Sequence, residues 1–443
     1  MERNKMSVTQ LTLLTSLSMM GAGIIMLPAK LAEIGTISML SWLQSGFGAG
    51  ALAYVFAQCG MLTKRPGGLG GFASYAFGSV GSFMVNYTYA LSLVVGNVAI
   101  ALAAVNYGLS YIGVEFSPMP ACASTIWLLI IASALNLRSP NFTGKITALF
   151  VWALLLPLLF FVAFGWLWFD PAIYSDNWNP HGLTVMEAIP ESVSMTFWAF
   201  LGLESACANS DSVENPERNV PLAVIAATLF TAFIYIVSTN LCAGIVPNAA
   251  ILSSDAPFGV VYASMFGENA RHIVTFLLWI GCAGSVVSWQ FTMSRVFVSS
   301  ARLGYFPKIF AEVTRRDVAR KGFAILTTVQ ALLCVFWSVS SSAYSLYERL
   351  SDFAVFITLF AFVLCMSGSF ALAKRECGDQ NRVAKICVVG LFALAALVLS
   401  IYCLDALILK LGTVSLLIGW MLYGILQVQP FEEEADGKNV VKS

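Results

Sequence analysis

Glu204 stands inside an apolar stretch, WAFLGLESACANS, with Phe200, Leu201 and Leu203 before it and Ala206 and Cys207 after it. A charge at the centre of a bilayer costs about 2.5–3.5 kcal/mol even on the lenient insertion scale, so it is kept where it faces water, a partner or a cation. The alternative is a protonated carboxyl tied to a nearby backbone carbonyl. Trp198 precedes Glu204 by roughly a turn and a half of helix, and Trp289 and Tyr89 lie in other apolar stretches. An ammonium group over an indole face gains about 0.5–2 kcal/mol, so a Trp/Glu pair suits an organic cation. Most tryptophans of such a chain serve as interface belt or core. Arg295 and Asp352 also fall in apolar stretches and are read either as site residues or as groups that pair locally or reach the interface.

A second feature lies near the start. Leu11 to Leu31, LTLLTSLSMMGAGIIMLPAKL, is long enough to cross a bilayer and is interrupted by Gly21, Ala22 and Gly23. Backbone groups loosened at such a break need protein or a water-lined cavity around them, which makes the three residues candidates for ligand binding.

The elements that must position these residues are membrane helices. Of the 443 residues 58% are hydrophobic and 11% charged, and mean hydropathy is +0.79; soluble domains have about 25% charged residues. Zero net charge excludes the basic footprint of a nucleic-acid binder. A span-length window finds twelve segments, near 8–31, 37–61, 82–113, 120–136, 146–168, 190–210, 220–246, 270–299, 322–342, 351–373, 384–404 and 406–428. The first is expected to be an uncleaved helix, since its apolar run exceeds that of a secretory signal and no A-x-A-like site follows. Connections after even-numbered segments hold most of the Lys and Arg, so both termini are expected in the cytoplasm. TKRPGGLGG at 63–71 reads as a cytoplasmic turn, YSDNWNPHG at 174–182 as an external loop and 429–443 as a cytoplasmic tail.

Gly202 beside Glu204 gives segment 6 a weak point like that of segment 1. Two interrupted segments five apart suggest a five-plus-five inverted repeat, 8–168 and 190–373, with segments 11 and 12 at 384–428 and a site between the broken helices. The chain is thus read as one all-α polytopic membrane domain.

Other chemistries find no apparatus. The ten cysteines form no CxxC and no metal pattern, and His181 and His272 are far apart. No nucleotide-binding loop, nucleophile elbow or metalloprotease motif occurs, so no enzyme, metal or cofactor is expected. A channel lacks a filter-like repeat or charge ring, and a receptor lacks a signalling domain.

MMGAGIIMLPAKLAEIGT (19–36), WAFLGLESACANSDSVENPERNVPLAV (198–224), GIVPNAA (244–250), DAPFG (255–259) and GYFPKIF (304–310) resemble the basic amino acid/polyamine antiporters of the amino acid/polyamine/organocation superfamily. The likeness runs from about Lys5 to Tyr423. It implies a LeuT-type fold of twelve helices in a bacterial inner membrane, and exchange of a cationic amino acid for its decarboxylated amine. Ornithine against putrescine is the favoured couple; lysine/cadaverine, arginine/agmatine or a polyamine/proton carrier are the alternatives. It also implies a homodimer, for which no association motif is visible. Carried over by position, Trp198, Glu204, Trp289, Tyr89, Asn97 and Cys59 match residues of polyamine recognition or gating, and Trp420 and Tyr423 match aromatic positions of lesser role. The chain departs from that pattern at Ser18 for an asparagine, Ala22 for a serine, Ser74 for a glutamate and Val298 for a lysine, while Arg295 and Asp352 stand where amides are expected.

Overall fold

The computed structural model describes residues 5–113, 118–254, 256–338 and 343–426. Among them the chain is helical, with one isolated backbone bridge, Met6 to Val213, and no sheet. The tail expected at 429–443 lies outside the described residues, as do Asp255 and the last residues of the segments expected at 322–342 and 406–428.

A reciprocal capping box opens α1 (Val8–Ala32): the Ser7 N–H donates to Gln10 Oε1 and the Gln10 N–H to Ser7 Oγ. The helix leaves helical geometry at Gly21, where φ is −43° and ψ −112°. α2 (Met39–Leu62) follows, then α3 (Leu69–Ile112), bent at Gly78 with φ +60°. The turn expected at 63–71 is therefore shorter than the Gly/Pro content suggests. Helix resumes at Leu69, because Gly70 and Gly71 let the Asn86 amide and the Pro66 carbonyl approach closely.

α4 (Pro118–Leu135) and α5 (Pro140–Phe164) continue the chain, α5 starting from a Ser139 cap with proline in its first turn. The loop after α5 carries a short α6 (Pro171–Asp176). Segment 6 is interrupted: α7 (Val185–Trp198) stops, Ala199–Glu204 runs as turns, and one helical turn, α8 (Ser205–Ala208), follows. Next come α9 (Pro216–Ile245), α10 (Asn248–Leu252), α11 (Pro257–Phe266) and α12 (Glu268–Arg302). α10 and α11 were not expected; each starts at a proline, Pro247 as cap and Pro257 as first residue. α13 (Arg320–Ser338), α14 (Ala343–Glu376), α15 (Gln380–Tyr402) and α16 (Ala406–Leu426) complete the fold.

Nine helices among the described residues are long and apolar enough to cross a membrane. The other three expected segments appear as the shorter apolar α4, the interrupted α7–α8 pair and α13. α1 lies in the middle, against α5, α9 and α12, while α3 runs along α14. α15 and α16 stand at the edge, exposing Leu391, Phe392, Leu417 and Met421.

Candidate functional site

The two interruptions meet. Gly202 has φ +118°, and a Cβ placed there would come within 2.9 Å of the Met19 nitrogen. Glycine is required twice at this point, for its backbone conformation and for the close approach. Opposite it, the break at Gly21 frees the Ser18 and Met19 carbonyls from their helical partners. The Trp289 indole N–H donates to Ser18 O at 3.0 Å and the Tyr235 hydroxyl to Met19 O at 2.6 Å. Both carbonyls are thus satisfied from neighbouring helices, as buried backbone must be.

Between the breaks lies a cavity of about 500 Å³ of empty space. Its walls are Ser18, Met19 and Gly23 of α1; Tyr89, Ser92, Leu93, Gly96, Asn97 and Ile100 of α3; Trp198; Leu201 and Glu204 of the second break; Trp289; and Ala354 and Thr358 of α14. Glu204 is buried, its Oε1 accepting from the Tyr89 hydroxyl at 3.1 Å and its Oε2 from the Gly202 N–H at 2.8 Å. A carboxylate offers about four acceptor positions, so capacity remains for a ligand. No Lys, Arg or His is among the described lining residues, and the wall is apolar and aromatic except for Glu204 and a few neutral polar groups.

Tyr89 also borders a second space of about 320 Å³ toward the start of α3, lined by Gly68, Asn86, Asp211 and Ser299 among others. Tyr89 therefore borders both spaces, with its hydroxyl bonded to Glu204 on the side of the first.

Of the residues singled out from sequence, Gly23, Tyr89, Asn97, Trp198, Glu204 and Trp289 line the cavity together. Gly21 does not, because its α-carbon is pressed against the Ser285 side chain. The side chain of Ala22 lies outside the described residues. Ser18 reaches the wall, with its hydroxyl turned back to Leu14 O at 2.9 Å and Ser288 Oγ at 2.8 Å. Cys59 is buried and is not among the residues lining the cavity. Ser74, near the start of α3, holds the loop that follows α2: the Arg65 guanidinium donates to its carbonyl at 2.8 Å and to its hydroxyl at 3.1 Å. Tyr423 shares a hydrogen bond with Ser79 at 2.9 Å, and Trp420 faces outward, 52% exposed. Asp352 is half-buried on α14, two residues before Ala354 and outside the lining. Arg295 pairs with Asp317 at 2.8 Å, tying α12 to the loop before α13. Val298 is buried in the core side of α12.

Sequence reasoning missed Tyr235, which holds a freed carbonyl, and the Ser92–Thr358 pair at 2.5 Å, which joins α3 to α14 inside the cavity. Hydroxyls are common in membrane helices, and nothing in their spacing marked these. Gln290 of α12 and Gln330 of α13 were missed too, although an amide buried in an apolar helix is itself a signal.

Comparison with known proteins agrees with this architecture. A family model described as amino acid permease matches residues 6–425. The putrescine transporter PotE of Haemophilus influenzae is 45% identical over 423 residues, covering 96% of this chain and 97% of that protein. PotE of Escherichia coli K12 is 44% identical over 428 residues, 96% of each chain. The cadaverine/lysine antiporter of Escherichia coli K12 is 32% identical over 349 residues, 77% of this chain and 78% of that one.

Proposed function

The chain belongs to the amino acid permease family of membrane transporters, and from that premise we propose that it exchanges ornithine for putrescine across the bacterial inner membrane by alternating access. The observation that carries the reading is Glu204: a carboxyl with spare acceptor capacity in a cavity between two helix breaks, with no basic residue in the described wall. A desolvated site of this kind attracts a cation, and Trp198 and Trp289 offer ring faces to an alkylammonium chain. The break at Gly21 starts a new helical stretch beside the cavity, with Gly23 in its wall, and a helix start is where an amino acid's carboxylate is well held. A diamine would use the carboxyl alone, an amino acid both ends. The couple follows the greater identity to the putrescine transporters than to the cadaverine/lysine antiporter.

The inner arrangement supports a twelve-crossing inverted repeat. Ala188, near the start of segment 6, packs with Ile34 and Ile37 just beyond the end of α1, while Ser212 O at its far end accepts from the Met6 N–H before α1. Segment 6 thus runs the whole length of α1 in the opposite direction. α5 begins against Met6 and Gln10 near the start of α1, so α4 has to cross to reach it from α3. Exchanging segments 1–5 with 6–10 maps neighbours onto neighbours: α3 on α14 corresponds to α12 on α5, and α3 on α13 to α12 on α4.

Lys64 pairs with Glu376 at 2.8 Å and Arg382 donates to Gln58 at 2.8 Å, which supports a common face for the basic connections after segments 2 and 10. By the bias of Lys and Arg toward the cytoplasm, that face is read as the cytoplasmic one. Transport then requires parting Tyr89 from Glu204 so that the outer cavity joins the inner space. An ammonium that takes over the Glu204 oxygens stabilises the parted state, which couples movement to occupancy.

The test is counterflow in proteoliposomes preloaded with putrescine. Labelled ornithine uptake that depends on internal putrescine supports the assignment. Uptake that is indifferent to internal substrate contradicts exchange, and exchange with lysine or arginine instead of ornithine contradicts the couple.

A further inference from the structure

Three amides form a directed chain beside the cavity. Gln330 Nε2 donates to the Val94 carbonyl at 3.5 Å, Gln290 Nε2 donates to Gln330 Oε1 at 2.7 Å, and Asn97 Nδ2 donates to Gln290 Oε1 at 3.4 Å. The Met293 sulfur accepts additionally from Gln330 at 3.5 Å and from Asn97 at 3.8 Å. All three side chains are buried, at 0–1% exposure.

The direction of the chain is not arbitrary. The Val94 carbonyl can only accept, so Gln330 must present its NH2 there and its oxygen to Gln290. Gln290 then presents its oxygen to Asn97. Asn97 must spend its NH2 on that contact, and its Oδ1 is left buried with no hydrogen-bond partner. An unpartnered buried acceptor costs about 1–3 kcal/mol, and Asn97 is a wall residue of the cavity. A donor brought by a ligand would satisfy it.

We propose that Gln330, a residue outside the cavity wall, is a positioning residue that acts through Gln290 to hold Asn97 as an acceptor for the second ammonium of a diamine. This deepens the proposed function and rests on its reading of the cavity as a cation site. Asn97 and Tyr89 lie eight residues apart on α3, roughly 12 Å along the helix, so the Asn97 acceptor and the Glu204 carboxyl beside Tyr89 serve different parts of one ligand.

The experiment compares two competitors of equal chain length, putrescine with two ammonium groups and butylamine with one, as inhibitors of putrescine counterflow in proteoliposomes. Wild type should prefer putrescine. Gln330→Leu should weaken putrescine at least about tenfold, the worth of one hydrogen bond to a charged group, and leave butylamine within about twofold. Gln330→Glu, which in its neutral form keeps both an acceptor for Gln290 and a donor for Val94, should restore the preference. Equal weakening of both amines by Gln330→Leu, or no change in either, would overturn the proposal. Should Gln330→Leu not fold, Asn97→Leu reads the same preference at the acceptor itself, and a preference surviving that change overturns it equally. Working exchange without any wild-type preference for putrescine would remove this inference while leaving the exchanger intact; no exchange of any amine would remove both.

Discussion

The Tyr235 hydroxyl, buried on α9, donates to the Met19 carbonyl at 2.6 Å, just before the point where α1 leaves helical geometry. One side chain thus compensates a buried backbone group that the break would leave bare. Tyr235→Phe keeps the ring and removes the donor. The loss should be about 1–3 kcal/mol, the cost of an unsatisfied buried acceptor, read as a lower melting temperature of the purified protein in detergent.

Gly202→Ala should be more damaging than its size suggests. A Cβ at φ +118° is strained, and it would press on the Met19 nitrogen at 2.9 Å. The left-handed conformation alone costs about 1–2 kcal/mol. Loss of transport together with a reduced melting temperature is expected, whereas Gly46→Ala, with open space around its α-carbon, should retain transport.

Trp289 has two roles that substitution separates. Its ring lines the cavity and its N–H holds Ser18 O at 3.0 Å. Trp289→Phe keeps a ring and loses a hydrogen bond worth about 1 kcal/mol, so putrescine affinity should fall several-fold. Trp289→Ala loses both and should fall further; the ratio is read by titrating putrescine against each variant.

Ser74→Ala and Trp420→Ala should leave substrate affinity within about twofold, since a substitution away from the binding contacts usually changes little. Ser74 holds Arg65, and Trp420 points outward. Counterflow at graded putrescine concentrations checks this, and a larger shift would give either residue a part in recognition.

What could be read from sequence follows from energetics specific to the bilayer. The break at Gly21 and the carboxyl at Glu204 were visible because each is costly in an apolar segment and so stands out against its neighbours. The helix over Leu69–Gly78 was not visible, since its glycines mark close approach to Asn86 and Pro66 instead of a turn. Local pairing was one reading of Arg295, but its partner was not visible, because Asp317 sits in a loop with no periodicity to place it. Gln290 and Gln330 come together only because α12 and α13 turn particular faces toward each other, a tertiary fact that local pattern does not carry.

The most direct test of the account is the affinity of the purified protein for putrescine before and after Glu204→Gln. Gln keeps the shape and the contact with Tyr89 and removes the charge. The account predicts binding weakened at least about tenfold with the melting temperature preserved; unchanged affinity would show that the cation is held elsewhere and would contradict the site.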